Sequence, residues 1–293
     1  MNQSTNKVVM IRPVKFNYNA STAVDNVYQK RSQLQSKLIQ EKALAEFEGL
    51  RKCLEEEGIK VKVFDDTLEP ATPDSIFPNN WFSTHEGIVC LYPMYVQNRR
   101  LEVAKFSQLL KDYYQADNIL DFTGESEVVE GTGAIIFDRV NKRAFTSLSK
   151  RSNKGLFEKI SNSLGYKPYS FKSSQFGKEI YHTNVMMSIT SDFIFVASQL
   201  IDEEYRQGIL DELARYHRII ELSSEQIVNF AGNLLELEGR NGKFLIMSDR
   251  AYNSLSQVQK ETIEAKLRIR HVPVNTIEDL GGGSVRCMLA EIF

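Results

Sequence analysis

The sequence predicts an α/β protein built as a closed, five-bladed β/α-propeller of ββαβ units, a single domain over residues 1–293. Three observations predict it. The order hairpin, helix, single strand recurs four times along the chain, and the two ends together supply a fifth set of the same elements. No Gly/Ser linker, low-complexity tract or long block of like charge divides the units.

In chain order, the first complete unit has apolar runs at 81–82 and 87–92, a helix at about 98–115 and a strand at 118–122. The second pairs 133–138 with 144–148 across Arg-Val-Asn-Lys-Arg, then places a helix at about 152–164 and a strand at 166–171. A third joins 184–189 to 193–197 through Thr-Ser-Asp, before a helix at 202–216 and a strand at 217–222. The fourth turns at Gly-Arg-Asn-Gly between 233–237 and 244–247, then runs as a helix over 251–267 and a strand over 268–272. What remains is 285–293, 8–12, a long helix at about 22–57 and a strand at 59–64. Pairing the two end segments in one unit closes the ring and leaves no open edge at either end of the array.

Composition narrows the partner. With 36 basic and 38 acidic residues the formal charge is only -2, so no overall field favours nucleic acid or an anionic membrane surface. No apolar run reaches membrane-span length, and the N-terminus lacks the order of a signal peptide. The expectation is a cytoplasmic protein that recognises a small molecule, with no nucleic-acid and no membrane partner. A homo-oligomer is compatible with the pattern, which does not separate exposed faces from subunit contacts. Cys53, Cys90 and Cys287 are odd in number and far apart, without CxxC or Cys/His ligand spacing. Neither a disulfide framework nor a metal site is expected.

Each unit carries an unusual polar or glycine-containing stretch just before or within its first strand: Phe77-Pro-Asn-Asn80, Glu130-Gly-Thr-Gly133, His182-Thr-Asn184, Asn229-Phe-Ala-Gly-Asn233 and Gly281-Gly-Gly-Ser-Val-Arg-Cys287. Units arranged about an axis bring these stretches to one end of it. A carboxylate, a histidine, amides and a thiol then meet in one pocket. Such a set suits thiolate attack on an electron-poor, nitrogen-rich carbon, with His182 as acid and base and Glu130 orienting or polarising it. Among the other histidines, His217 and His271 lie in unit-closing strands, and His85 is the rival base. Glycines at 281–283 permit close approach to Cys287. No organic cofactor or metal is required.

These stretches, in this order over nearly the whole chain, resemble those of the guanidine-modifying or pentein superfamily: arginine deiminases, dimethylarginine dimethylaminohydrolases and amidinotransferases. The nearest resemblance is to the bacterial citrulline-utilisation hydrolases, an amidinotransferase-like branch. It implies a β/α-propeller, a covalent thiouronium-type intermediate, Cys287 as nucleophile, His182 as acid/base and Glu130 as buried carboxylate. The implied substrate is a small arginine-related amino acid.

Two departures bear on which one. Arginine deiminases hold the guanidinium with aspartates where this chain has Asn80 and Asn184. Losing both carboxylates removes two charge-assisted partners, whereas amides both donate and accept. A neutral ureido group, as in citrulline, is therefore slightly favoured, with arginine and methylated arginines open. Phe77 and Gly283 belong to the same pocket-forming stretches. Arg99 and Arg100 follow the first hairpin, where related enzymes often place a substrate-binding arginine; a solvated pair at a helix start is the plainer reading. Arg286 is expected to anchor its strand in a salt bridge. Amidino transfer and silent binding of an arginine-like metabolite are the competing functions, and the intact Cys287, His182 and Glu130 oppose the second.

Overall fold

The computed structural model describes residues 2–293 and shows a mixed α/β fold. Among the described residues its strands form five separate three-stranded sheets and one two-stranded hairpin. In each of the five, an antiparallel pair is followed by a parallel third strand. They are Phe82–His85, Ile88–Leu91 and Asn118–Asp121; Ile135–Asp138, Arg143–Ser147 and Lys167–Phe171; Met187–Ile189, Phe193–Val196 and Arg218–Glu221; and Leu235–Gly239, Gly242–Ser248 and Arg268–Val272. The fifth joins remote segments: Val8 and Val9 pair antiparallel with Glu291 and Ala290, and Lys7–Arg12 runs parallel to Lys60–Asp65. Each sheet is small, and none closes on itself.

A parallel return needs a crossover, and a helix supplies it each time. Lys154–Ser163 buries Leu156, Phe157 and Ile160 along one face, and Asn153 caps it by accepting the Gly155 N–H. Emptying such a position, as in Phe157→Ala, costs about 3–5 kcal/mol. The helix expected over 251–267 is two, Asp249–Ser254 and Gln257–Glu264. Leu255 is extended between them, and Ser256 caps the second in a capping box with Gln259.

Two expectations fail at the ends. The helix expected over 22–57 is confined to Ser36–Glu56, which buries Ile39, Ala43, Phe47, Leu50 and Leu54. Residues 13–35 form an irregular strap in which Asn and Thr side chains bond to local backbone. Asn19 Oδ1 accepts the Ser21 N–H, and Asn26 Oδ1 accepts that of Tyr28. The terminal strand is also shorter: Val285–Met288 is a 3₁₀ turn, and only Ala290–Glu291 pairs.

Helical turns of this kind position the chemistry. Pro78–Asn80, Gly131–Ala134, Thr183–Val185 and Val285–Met288 each stand immediately before a sheet's first strand, and residues 229–233 turn without a helix before the remaining one. Neighbouring sheets touch through those first strands, Ile135–Asp138 against Met187–Ile189 and the latter against Leu235–Gly239. The polar turns of different sheets are thereby brought together.

Candidate active site

The turns converge on a narrow cleft of about 20 Å³, lined by Phe77, Asn80, Arg99, His182, Gly283 and Cys287 from the sequence-predicted set. Thr22, Asn26 and Gln29 of the strap, with Asp74, Arg151 and Tyr181, complete its wall. A wider hollow of about 1150 Å³ lies elsewhere, around Glu225, Gln226, Asp249 and Arg250, and among the described residues no cysteine or histidine lines it.

Cys287 sits in the 3₁₀ turn, 4% exposed, with its N–H bonded to Ser284 O at 3.0 Å. Its Sγ receives the Nδ2 amides of Asn184 at 3.4 Å and Asn233 at 3.2 Å. The three glycines before it do different things. Only Gly282 is left-handed, at φ 64°, ending the helix Asn275–Gly281. Gly281 and Gly283 face the Phe77 ring, where a Cβ would stand about 2.7 and 3.0 Å from ring carbons.

Glu130 is completely buried and lies against His182. Its Oε2 lies 2.7 Å from His182 Nε2, and its Oε1 accepts the Tyr95 N–H at 2.9 Å. Burial alone would raise its pKa, but the Arg151 charge and the His182 bond overcome that and hold it well below the ordinary carboxylate range. An ionised Glu130 requires the proton of a neutral His182 on Nε2, leaving Nδ1 as acceptor. That nitrogen faces Gly133, where a Cβ would come within 2.8 Å of it and collide with Asn80 Oδ1. Burial lowers the His182 pKa, with Glu130 opposing, so the ring is neutral at rest.

The remaining predicted residues divide. Asn80 and Asn184 each keep a buried Oδ1 without a hydrogen-bond partner among the described residues. Arg99 is buried, held by Glu102 through Nε and Nη2, both at 2.9 Å, and by Phe77 O at 3.0 Å. Arg100 is a correction: it is exposed and turns its guanidinium to Met94 O and Tyr95 O, one helical step away from the cleft. Its place in the sequence beside Arg99 puts it on another face of the helix Gln97–Tyr114. His85 is also excluded as base, since it is buried between Ser83 Oγ at 2.9 Å and Arg139 and does not line the cleft. Arg286 pairs with Glu291 at 2.9 Å, as expected.

Sequence reasoning missed Asp74, Arg151 and the strap. Asp74 is buried; its Oδ2 accepts Asn19 Nδ2 at 2.8 Å and Thr22 Oγ1 at 3.0 Å, and its Oδ1 has no partner among the described residues. Arg151 binds Asp25 and Thr22 O on the strap and reaches Glu130 at 3.5 Å. Asn26 and Gln29 bond to carbonyls of Gly281 and Gly282. The available signal was the dense Asn/Thr/Ser run at 17–26, polar without helical period.

Among the described residues no helix is long and apolar enough to cross a membrane. A model of the family described as N,N dimethylarginine dimethylhydrolase, eukaryotic, matches residues 12–293. No curated protein sequence matches significantly. Among solved structures, apo ArgZ, an arginine dihydrolase from the ornithine-ammonia cycle in cyanobacteria, superposes with TM-score 0.80 at 18% identity over 98% of this chain. This chain spans 40% of full-length ArgZ, and 97% of the ArgZ N-terminal domain in a structure covalently bonded to a reaction intermediate. A Pseudomonas aeruginosa DDAH complexed with citrulline superposes with TM-score 0.72 at 13% identity, over 98% of this chain and 99% of that one. The chain therefore belongs to the N,N dimethylarginine dimethylhydrolase family, within the pentein superfamily.

Proposed function

We propose that the chain is a one-domain catalyst, its five sheets standing as propeller blades around the cleft, that hydrolyses the ureido carbon of a citrulline-like amino acid through a covalent adduct on Cys287. The observation that carries this reading is the neutrality of the groups around the sulfur: Asn184 and Asn233 donate to Sγ, and the Oδ1 atoms of Asn80 and Asn184 have no partner among the described residues. Those oxygens suit the N–H groups of an uncharged ureido end.

Neutral His182 takes the thiol proton through Nδ1, and the thiolate forms an S–C bond to the ureido carbon. His182 returns a proton to the departing nitrogen as the C–N bond breaks. It then takes one from water, which attacks the same carbon and releases the sulfur. The carbon leaves as a carbamate, whose remaining C–N bond breaks as it loses carbon dioxide and its nitrogen takes up the proton, so citrulline and one water give ornithine, ammonia and carbon dioxide. Glu130 stays anionic and holds the imidazole in the tautomer with Nδ1 free. At the amino-acid end, the free Oδ1 of Asp74 suits an α-ammonium group, and Arg99 and Arg151 suit the carboxylate.

A second reading starts one step earlier, with arginine attacked first and the ureido product next. The similarity to arginine dihydrolase structures supports it. Wild type and Cys287→Ser are given citrulline, arginine and methylated arginines separately, and ammonia, amine and ornithine are measured. Ornithine and ammonia from citrulline are expected, with turnover lost in Cys287→Ser. Citrulline accumulating from arginine or methylarginine, without ornithine, defeats the ureido reading; turnover surviving in Cys287→Ser defeats the covalent one.

A further inference from the structure

We propose that Asn233 is a catalytic residue: with Asn184 it forms a fixed cradle of amide N–H donors that stabilises the Cys287 sulfur as a thiolate. The inference rests on the reading of Cys287 as nucleophile. Asn233 Nδ2 stands 3.2 Å from Sγ and also donates to Asn184 O at 3.1 Å, while its Oδ1 accepts the Cys287 N–H at 3.4 Å. Reversing the amide would turn Oδ1 toward both Sγ and a carbonyl oxygen and NH2 toward an N–H. Backbone partners at both ends therefore aim the donor at the sulfur.

The local chain is shaped for that approach. Phe230 is left-handed at φ 61°, a conformation uncommon outside glycine and retained where surrounding structure demands it. At Gly232 a Cβ would collide with the Val185 carbonyl, so only glycine lets the turn carrying Asn233 press against the turn carrying Asn184.

The arginines around the site have other partners. Arg99 is held by Glu102, Arg151 by Asp25 and Glu130, and Arg286 by Glu291 and Leu289 O. A thiolate here is stabilised by oriented N–H dipoles, which gain strength when the acceptor is charged. The cradle acts on the thiol–thiolate equilibrium without adding charge next to a neutral substrate.

The test follows iodoacetamide alkylation of Cys287 by peptide mapping as a function of pH in wild type, Asn233→Ala, Asn233→Ser and the isosteric Asn233→Asp. Losing the donor is expected to raise the alkylation midpoint by roughly one to two pH units, with Asn233→Asp at least as far as Asn233→Ala because its carboxylate opposes the thiolate. Loss of packing alone would lower the fraction of reactive protein without moving the midpoint. An unchanged midpoint in any two folded variants overturns the cradle while Cys287 remains the reactive thiol. If Cys287 resists alkylation in wild type and Cys287→Ser keeps its turnover, the nucleophile assignment itself has failed.

Discussion

The residues lining the cleft and those packed directly behind them fall into two unlike halves. One is charged: Glu130, Arg151, Asp74 and Arg99 are buried together, each with at least one ionic or polar partner at 3.5 Å or less. The other, around the sulfur, is made of the amides Asn80, Asn184 and Asn233, with two carbonyl oxygens that have no partner among the described residues. The charged half matches what every free amino acid carries at its α-carbon. On the proposed reading, the neutral half would meet the end at which arginine-related substrates differ, so that binding strength and choice of substrate would fall to different sides of one small space.

The largest effect is expected where the charged half meets the chemistry. Glu130→Gln removes the partner that fixes the His182 tautomer and leaves Arg151 facing a neutral group. Turnover should fall by about a hundredfold to ten-thousandfold, comparable to loss of acid-base help, with a smaller change in KM. Steady-state kinetics check it, and a loss confined to KM would move Glu130 from catalysis to binding.

A smaller effect is expected from erasing the contrast. Asn80→Asp puts a carboxylate into the neutral half, so the preference for citrulline over arginine, as a ratio of kcat/KM, should shift toward arginine by roughly tenfold to a hundredfold. An unaltered ratio in a folded variant would remove Asn80 from substrate choice.

The smallest lies behind the nucleophile turn. Glu278 Oε1 accepts the Ser284 hydroxyl at 2.7 Å, and Arg250 Nε stands 3.2 Å from its Oε2. Burial pushes the Glu278 carboxyl from 4.5 up to about 7, with Ser248, Ser284 and Arg250 opposing. Between those values the folded chain keeps a proton that the unfolded chain has released. This group's contribution is therefore fully present below pH 4.5 and is lost as pH rises toward 7, by at most about 1.4 kcal/mol per pH unit. Urea unfolding at pH 5 and 7.5 should show a smaller pH-dependent loss in Glu278→Gln than in wild type. Equal losses would place Glu278 outside this linkage.

What could be read from the sequence and what could not follow the same physical division. The hairpin–helix–strand order was legible because buried strands and crossover helices carry apolar periods, as in Phe193–Val196 and Lys154–Ser163. Cys287, His182 and Asn80 were legible because they recur at one place in each unit. Arg151 lies in a Ser-Lys-Arg-Ser turn that looks solvated, and it is buried by contacts remote in sequence: the strap's Asp25 and Thr22, Glu130 and the Tyr181 ring. Asp74 depends likewise on Asn19 and Thr22. Irregular chain has no period to betray what it covers. The motif around Asn233 was visible, but its contact with sulfur needed the fold.

The sheet shared by Val8–Val9 and Ala290–Glu291 has a bearing on how activity is acquired. Cys287 stands three residues before that pairing, so the proposed nucleophile is set in place only when segments from opposite ends of the sequence meet. Contacts of such long separation carry a large loop-closure cost and tend to form slowly. During refolding from denaturant, helical signal should return before turnover does, making the enzyme a reporter of its own last folding event.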